Sequence, residues 1–143
     1  MSENIRLIFD KYYNKKHYPA FQEDKRKLLE KGLVVSGDIQ QSAVQGGNTL
    51  CEENAYKYAK SHKGSKIVIG EAEHDGDWGN HWWILTPEGE HLEVTKGWRG
   101  SKGRIGFVVK REHLKRSLSK WCDIPDSKLY EKHEKLPKSV RYV

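Results

Sequence analysis

The spacing of apolar residues predicts helices in the first part of the chain. In "SENIRLIFDKYYNKK" the apolar positions recur every three to four residues, and Ser2 suits the N-cap. They are Ile5, Ile8, Phe9, Tyr12 and Tyr13. The stretch "QEDKRKLLEKG" predicts a second, short helix ending at Gly32. After it, "LVVSGDIQQSAVQGGN" mixes β-branched residues with glycines, and we expect a short extended piece and then a loop.

A third helix is predicted from about Cys51 to Lys63, ending at Gly64. Two acidic residues, Glu52 and Glu53, suit the positive end of such a helix. The apolar stripe of this helix contains alanines, which allow it to lie close against a sheet.

Strand patterns follow in the second half. We expect a strand in "KIVIGEAEHD", a loop in "GDWGN", a hairpin in "HWWILTPEGEHLEVT" and another strand in "RIGFVVK". The stretch "REHLKRSLSKW" predicts a basic amphipathic helix, and the remaining tail lacks periodicity. Helices first and strands later predict an α+β fold, in which N-terminal helices pack on a small antiparallel sheet. Residues 1–143 are too few for two ordinary domains, so we expect a single domain.

The hairpin turn fixes a register. Proline suits the first central position of a type I turn and Gly89 the left-handed position after it, so the turn chemistry favours a three-residue loop over 87–89. This loop pairs Trp83 with Glu93 and places His81 and Glu93 on one face as diagonal neighbours. A two-residue loop would put Glu93 on the opposite face, because a one-residue slip turns every side chain over. The other, apolar face would hold Trp82, Ile84, Leu92 and Val94.

A cysteine at a helix start is a candidate nucleophile. The pKa of a free thiol is near ~8.5, and a helix N-terminus with a neighbouring imidazolium lowers it to roughly 3.5–7.5. We expect Cys51 to meet His81, which opens a strand after a glycine-rich loop, with Glu93 orienting the imidazole. The alternative is that Cys51 is a small buried apolar residue and His81 a structural hydrogen-bonding group.

These residues resemble the papain-like cysteine hydrolases. "QGGNTLC" has a glutamine six positions before the cysteine, and the order cysteine, histidine and polar third residue also matches. The resemblance implies that the Gln45 side chain and the Cys51 N–H form the oxyanion hole, although Gln40 and Gln41 compete for that role. The wider stretch "CEENA … GEA … HWW … LEVT … IGFVV" is similar to small uncharacterised bacterial and phage proteins. The third position, Glu93, is more often an aspartate there.

The resemblance also divides the chain and suggests a substrate site. It implies a papain-like core over residues 45–118, preceded by an N-terminal helical segment (1–44) and followed by a tail (119–143). We expect a peptide or acyl substrate, either free or part of a host protein, to contact residues beside the nucleophile and the loop before His81. These are Trp83, Trp78, Asn80 and Gly46. Strand alternation indicates that Trp82 belongs to the core instead.

Charge supplies the alternative function. The net charge is +6, yet residues 67–95 carry −7 and residues 96–143 carry +9. A basic C-terminal half is either a solvated surface or a docking site for nucleic acid or an acidic host protein, on a scaffold without catalytic activity. The acidic segment "EAEHDGDWGNH" matches no metal-ligand spacing, so we expect no metal and no other cofactor. With no membrane span, no signal peptide and two cysteines, a cytoplasmic protein with free thiols is expected.

Overall fold

Strands supply most of the ordered structure. The computed structural model describes residues 4–16, 26, 28–47 and 51–110. Within these ranges the elements are α1 (Ile5–Lys16), β1 (Leu33–Ser36), β2 (Gln40–Gly46), α2 (Cys51–Ser61), β3 (Lys66–His74), β4 (Asp77–Leu85), β5 (His91–Thr95) and β6 (Gly103–Val108). Residues 28–31 add a turn of helix. The predicted basic helix, the tail and Cys122 lie outside the described residues.

The six strands form one curled, mixed sheet in the order β1-β6-β3-β4-β5-β2. Neighbouring strands run antiparallel, except that β2 pairs with β5 in parallel. The end strands β1 and β2 are joined by residues 37–39 alone. A connection of three residues is short, so the two end strands must lie near each other. The sheet can satisfy this only by curling.

The predicted fold class is wrong. In the part of the chain that the structure describes, strand accounts for 44% and helix for 27%, and the helices are short. The sheet is neither small nor purely antiparallel, and the residues expected as an N-terminal helical segment supply β1 and most of β2. The helix that covers the central strands is α2, which follows β2. The glutamine-containing stretch 40–46 was expected as a loop, but its backbone pairs with β5, and such pairing overrides weak local propensity.

Each face of the sheet has its own apolar cluster. On the face beneath α2, Ala55 and Ala59 are fully buried and pack with side chains of β3, β4 and β5. Those partners include Ile67, Ile69, Trp82, Ile84, Leu92 and Val94. The opposite face has a second cluster, in which Val68 and Trp83 are central. Successive residues of a strand point to opposite faces, so His81 and Trp83 lie on the face away from α2.

α1 lies at the β1–β6 end of the sheet. Its Ile5 and Phe9 are buried with Val34, Trp78 and Ile105. The Arg6 guanidinium donates hydrogen bonds to the carbonyl oxygens of Leu28, Leu29 and Gly32. The Leu28 carbonyl also accepts from the Gly32 N–H at 2.8 Å. Arg6 therefore caps the C-terminal end of this helical turn and ties α1 to the start of β1.

The predicted hairpin register is confirmed. Ile84 pairs with Leu92 and Leu85 with His91, while the Thr86 N–H donates to the Glu90 carbonyl at 2.8 Å. Gly89 has a φ of 88°, so the three-residue turn places a glycine where the left-handed conformation is required. The loop expected over residues 76–80 is wrong from Asp77 onward, however, because β4 begins there and pairs with β3 along its whole length.

The described helices do not include one that is long and apolar enough to cross a lipid bilayer.

The close contact of β3 and β6 gives the first prediction. A Cβ on Gly70 would lie 2.0 Å from the Ile105 carbonyl oxygen and 2.4 Å from the Gly106 Cα, both of them backbone atoms that cannot rotate away. We expect Gly70→Ala to lower the free energy of unfolding by about 3 kcal/mol. Gly79→Ala is the matched control, because a Cβ there meets nothing within 4 Å. Equilibrium urea unfolding measures both, and equal effects would contradict the packing.

Candidate active site

A buried carboxylate is the centre of the candidate site. Glu93, on β5, is 0% exposed. Its Oε1 and Oε2 lie 2.8 and 2.9 Å from His81 Nε2, and Oε2 also accepts from the Thr95 backbone N–H at 3.1 Å. The structure therefore brings together His81 and Glu93, which the predicted hairpin register places on one face as diagonal neighbours.

The geometry defines the tautomer of His81. Its ring is 0% exposed, and burial lowers its pKa while the hydrogen bond that Nε2 donates to Glu93 opposes that shift. A neutral imidazole carries one N–H, and a carboxylate only accepts, so the proton is on Nε2. Nδ1 is buried and has no hydrogen-bond partner. This nitrogen consequently presents a free lone pair, as a general base requires.

Trp98 fixes the plane of the imidazole. The two rings stack with centroids 3.8 Å apart and an interplanar angle of 22°. A chain of amides holds Trp98 in place: Gln45 Nε2 donates to Gln41 Oε1 at 2.7 Å, and Gln41 Nε2 donates to the Trp98 carbonyl at 3.1 Å. The orientation of His81 thus depends on β2 as well as on Glu93.

Arg104, on β6, places a positive charge against Glu93. Its Nη1 lies 2.7 Å from Glu93 Oε1, and both side chains are 0% exposed. The contact is an ion pair whose N–H directions do not meet hydrogen-bond geometry, and Nε and Nη2 also have no hydrogen bond. The guanidinium lies 5.3 Å from the Trp83 ring centroid and 4.0 Å from Asp38 Oδ1. Sequence reasoning missed this residue, although a single cation within the apolar strand "RIGFVV" was a usable signal.

Cys51 begins α2 and is partly buried. Burial raises the pKa of its thiol to about 11, and the neighbouring Glu52 and Glu93 carboxylates add to this, while the backbone amide of Trp82 opposes it. This amide belongs to Trp82, the residue that directly follows His81 in the chain. Cys51 therefore lies beside the backbone of His81, but its thiol hydrogen bond goes to Glu52 Oε2 at 3.4 Å. The structure shows no hydrogen bond between the thiol and His81 Nδ1.

Gln45 has a structural role in the observed arrangement. Its side-chain amide donates to Gln41 Oε1 and to the Glu93 carbonyl at 3.2 Å, so both contacts point into the β2–β5 pair. Asn54, which sequence reasoning did not select, secures the start of α2. Its Nδ2 donates to the Gly47 carbonyl at 2.7 Å and to Thr95 Oγ1 at 3.1 Å.

The four residues expected to contact substrate are dispersed. Trp83 is fully buried, and its Nε1 donates to His91 Nδ1 at 3.0 Å. Trp78 is 5% exposed and packs on Phe9 under α1, in a different cluster from Cys51. Asn80 is exposed on β4. Gly46 pairs with Thr95 and lies against the Asn54 side chain, which leaves no room for a Cβ. Trp82 is in the core, as its alternation predicted.

Comparison with protein-family models, with curated proteins and with solved structures finds no match for this chain. Among the residues that the structure describes, no group of three or more His, Cys, Asp or Glu side chains is arranged to hold a metal ion.

The buried ion pair predicts strong energetic coupling. Arg104→Met should lower the free energy of unfolding by about 3–5 kcal/mol, because Glu93 is then left buried without its cation. Glu93→Gln keeps an oxygen acceptor for His81 and removes the charge. In the double variant we expect much less destabilisation than the sum of the two single effects, as measured by urea unfolding. Arg99→Met, at an exposed position, is the control. Additive effects of the two single substitutions would show that the pair contributes nothing specific.

The protonation of His91 predicts a pH-dependent stability. Burial, together with the Arg104 charge, lowers the pKa of His91 to about 4. Because the unfolded chain binds this proton near pH 6.5, stability from the neutral side chain is present above that pH and declines down to about pH 4. We expect the loss due to His91 to be about 3 kcal/mol and to be absent in His91→Gln, which retains an acceptor for Trp83. An unchanged pH profile in that variant would contradict the assignment.

Proposed function

We propose that this protein is a cysteine-dependent hydrolase or acyltransferase acting on an amide, ester or thioester. The observation that carries the proposal is the buried His81–Glu93 pair, which leaves Nδ1 unpartnered while a thiol lies beside the same stretch of backbone. Nucleophilic catalysis by cysteine requires a base of this kind, oriented by a third group. The order of residues resembles that of papain-like hydrolases, and the proposal does not require their fold.

In the first step Cys51 Sγ attacks the substrate carbonyl carbon while its proton moves to His81 Nδ1. The imidazole then carries protons on both nitrogens, and Glu93 stabilises that charge through Nε2. Collapse of the tetrahedral intermediate breaks the bond to the leaving amine, alcohol or thiol, which takes the proton from Nδ1. Backbone N–H groups of the first turn of α2 have no partner within the helix and can stabilise the oxyanion.

In the second step an acceptor attacks the acyl-thioester formed on Cys51. Water as the acceptor gives hydrolysis, and an amine or alcohol gives acyl transfer. Nδ1 removes the proton of the attacking group and returns it to Sγ as the thioester breaks. Every proton in both steps moves through Nδ1, while the Nε2 proton stays with Glu93.

The resting thiol is not a thiolate. With a pKa of about 11, only about one sulfur in 10⁴ is ionised at pH 7. Proton transfer must therefore accompany attack on the substrate, and the S–H has to turn from Glu52 toward Nδ1. We place the protein in the cytoplasm within the same proposal, since reducing conditions keep a nucleophilic thiol free.

Trapping of an acyl-enzyme tests the proposal. Incubation with a panel of small acyl thioesters and activated esters at pH 7, followed by intact mass and peptide mapping, should show one acyl group on Cys51. We expect His81→Ala to slow its formation by about 10²-fold or more, because the base is lost. Cys51→Ser serves as the nucleophile control, and His62→Ala, at the residue directly after α2, as the histidine control.

Two outcomes would contradict the proposal. One is the absence of any adduct with the whole panel, and the other is acylation of Cys51 at the same rate in His81→Ala. Either result would favour a binding protein without catalytic activity. Binding of nucleic acid or an acidic host protein by the basic C-terminal half stays a prediction. Residues 111–143 of that half lie outside the described part. Salt-sensitive retention of nucleic acid by Cys51→Ala would support that function.

A further inference from the structure

Glu52 holds the proton of the candidate nucleophile. Cys51 Sγ donates to Glu52 Oε2 at 3.4 Å, and Glu52 is only partly buried in the first turn of α2. Within the described ranges Glu52 forms no ion pair with a lysine or arginine. A negative charge without an ion-pair partner among the described residues therefore lies in contact with the sulfur, at a position that solvent can reach.

A second acceptor for the same proton is vacant. His81 Nδ1 is buried on a side chain that is 0% exposed, and it has no partner. It is the ring nitrogen nearer the backbone of its own residue, and the next amide along that backbone is the one that stabilises Sγ. The Glu52 charge acts on the imidazole as well as on the thiol, so both groups lie within its electrostatic reach. Displacement of Glu52 from the thiol would leave Nδ1 as the remaining acceptor.

A positive charge on the substrate would cause that displacement. An ammonium or guanidinium group a few ångströms from the reacting carbonyl would pair with Glu52, whereas a neutral or anionic group would not. The same pairing would hold the substrate over the nucleophile. Attraction for the substrate and release of the thiol proton would then be a single event.

We propose that Glu52 makes this site selective for acyl substrates that carry a positive charge beside the scissile carbonyl. The inference rests on the proposed role of Cys51 as nucleophile. Glu52 acts by pairing with the cation and giving up the thiol proton to His81, and it forms no covalent bond.

The first experiment measures whether Cys51 reacts faster with a cationic or an anionic reagent, and it requires no catalytic turnover. Second-order rate constants for Cys51 are measured with a cationic trimethylammonioethyl methanethiosulfonate and an anionic sulfonatoethyl methanethiosulfonate. We expect the cation-to-anion ratio of these rates to fall about tenfold in Glu52→Gln. Glu53→Gln is the matched control, since it removes the same charge from the next, exposed position of the same turn, and its ratio should change less than about twofold.

The second experiment compares the cleavage rates of a charged and an uncharged substrate. The wild-type protein should cleave the benzyl thioester of Nα-acetyl-lysine about tenfold faster than that of Nα-acetyl-norleucine, which has a similar shape and no charge. In Glu52→Gln the preference should disappear and in Glu53→Gln it should persist.

The outcomes separate this inference from the proposed function. An unchanged probe ratio in Glu52→Gln, or equal loss in both variants, would overturn the role of Glu52. Equal cleavage of the two thioesters by the wild-type protein would overturn the charge preference. Failure to cleave either thioester, with a probe ratio that still depends on Glu52 alone, would refute the catalytic proposal while retaining the selectivity of the sulfur for cations.

Discussion

The candidate site depends on one buried carboxylate. Glu93 carries a negative charge in a place with no solvent, and such a charge is stable only when nearby groups compensate for it. Arg104 supplies the opposite charge at 2.7 Å, and His81 and the Thr95 backbone N–H supply hydrogen bonds. Because these partners come from three different strands, the carboxylate also constrains how β4, β5 and β6 curl around it.

The same carboxylate determines the chemistry of the imidazole. A carboxylate on Nε2 leaves Nδ1 as the acceptor, and the stacked Trp98 ring prevents the imidazole from turning over. Such preorganisation matters because a base must be in the right tautomer before the nucleophile can transfer its proton. The thiol is the less prepared partner, since Cys51 is protonated at rest and its hydrogen bond goes to Glu52. On this account, substrate binding completes the nucleophile–base contact.

Local sequence rules predicted the pairing of His81 with Glu93, but they could not predict the rest of the site. The turn "TPEGE" has strict backbone requirements at Gly89, and these fix the register and hence which side chains share a face. Arg104 and Trp98 come to the site through the order of strands in the sheet, and no short-range signal encodes that order. The parallel pairing of β2 with β5 was missed for the same reason, since Gln40 and Gln41 have no strong strand propensity of their own. The α+β prediction consequently gave too much weight to the N-terminal helices.

The tautomer of His81 is the most direct test of this account. Long-range proton–nitrogen NMR correlation spectra of the ¹⁵N-labelled protein at pH 7 distinguish a protonated ring nitrogen from one with a lone pair, and His81→Gln assigns the signals. The account predicts a neutral ring with the proton on Nε2 and a lone pair on Nδ1, and loss of that preference in Glu93→Leu. A proton fixed on Nδ1, or an imidazolium at pH 7, would contradict it.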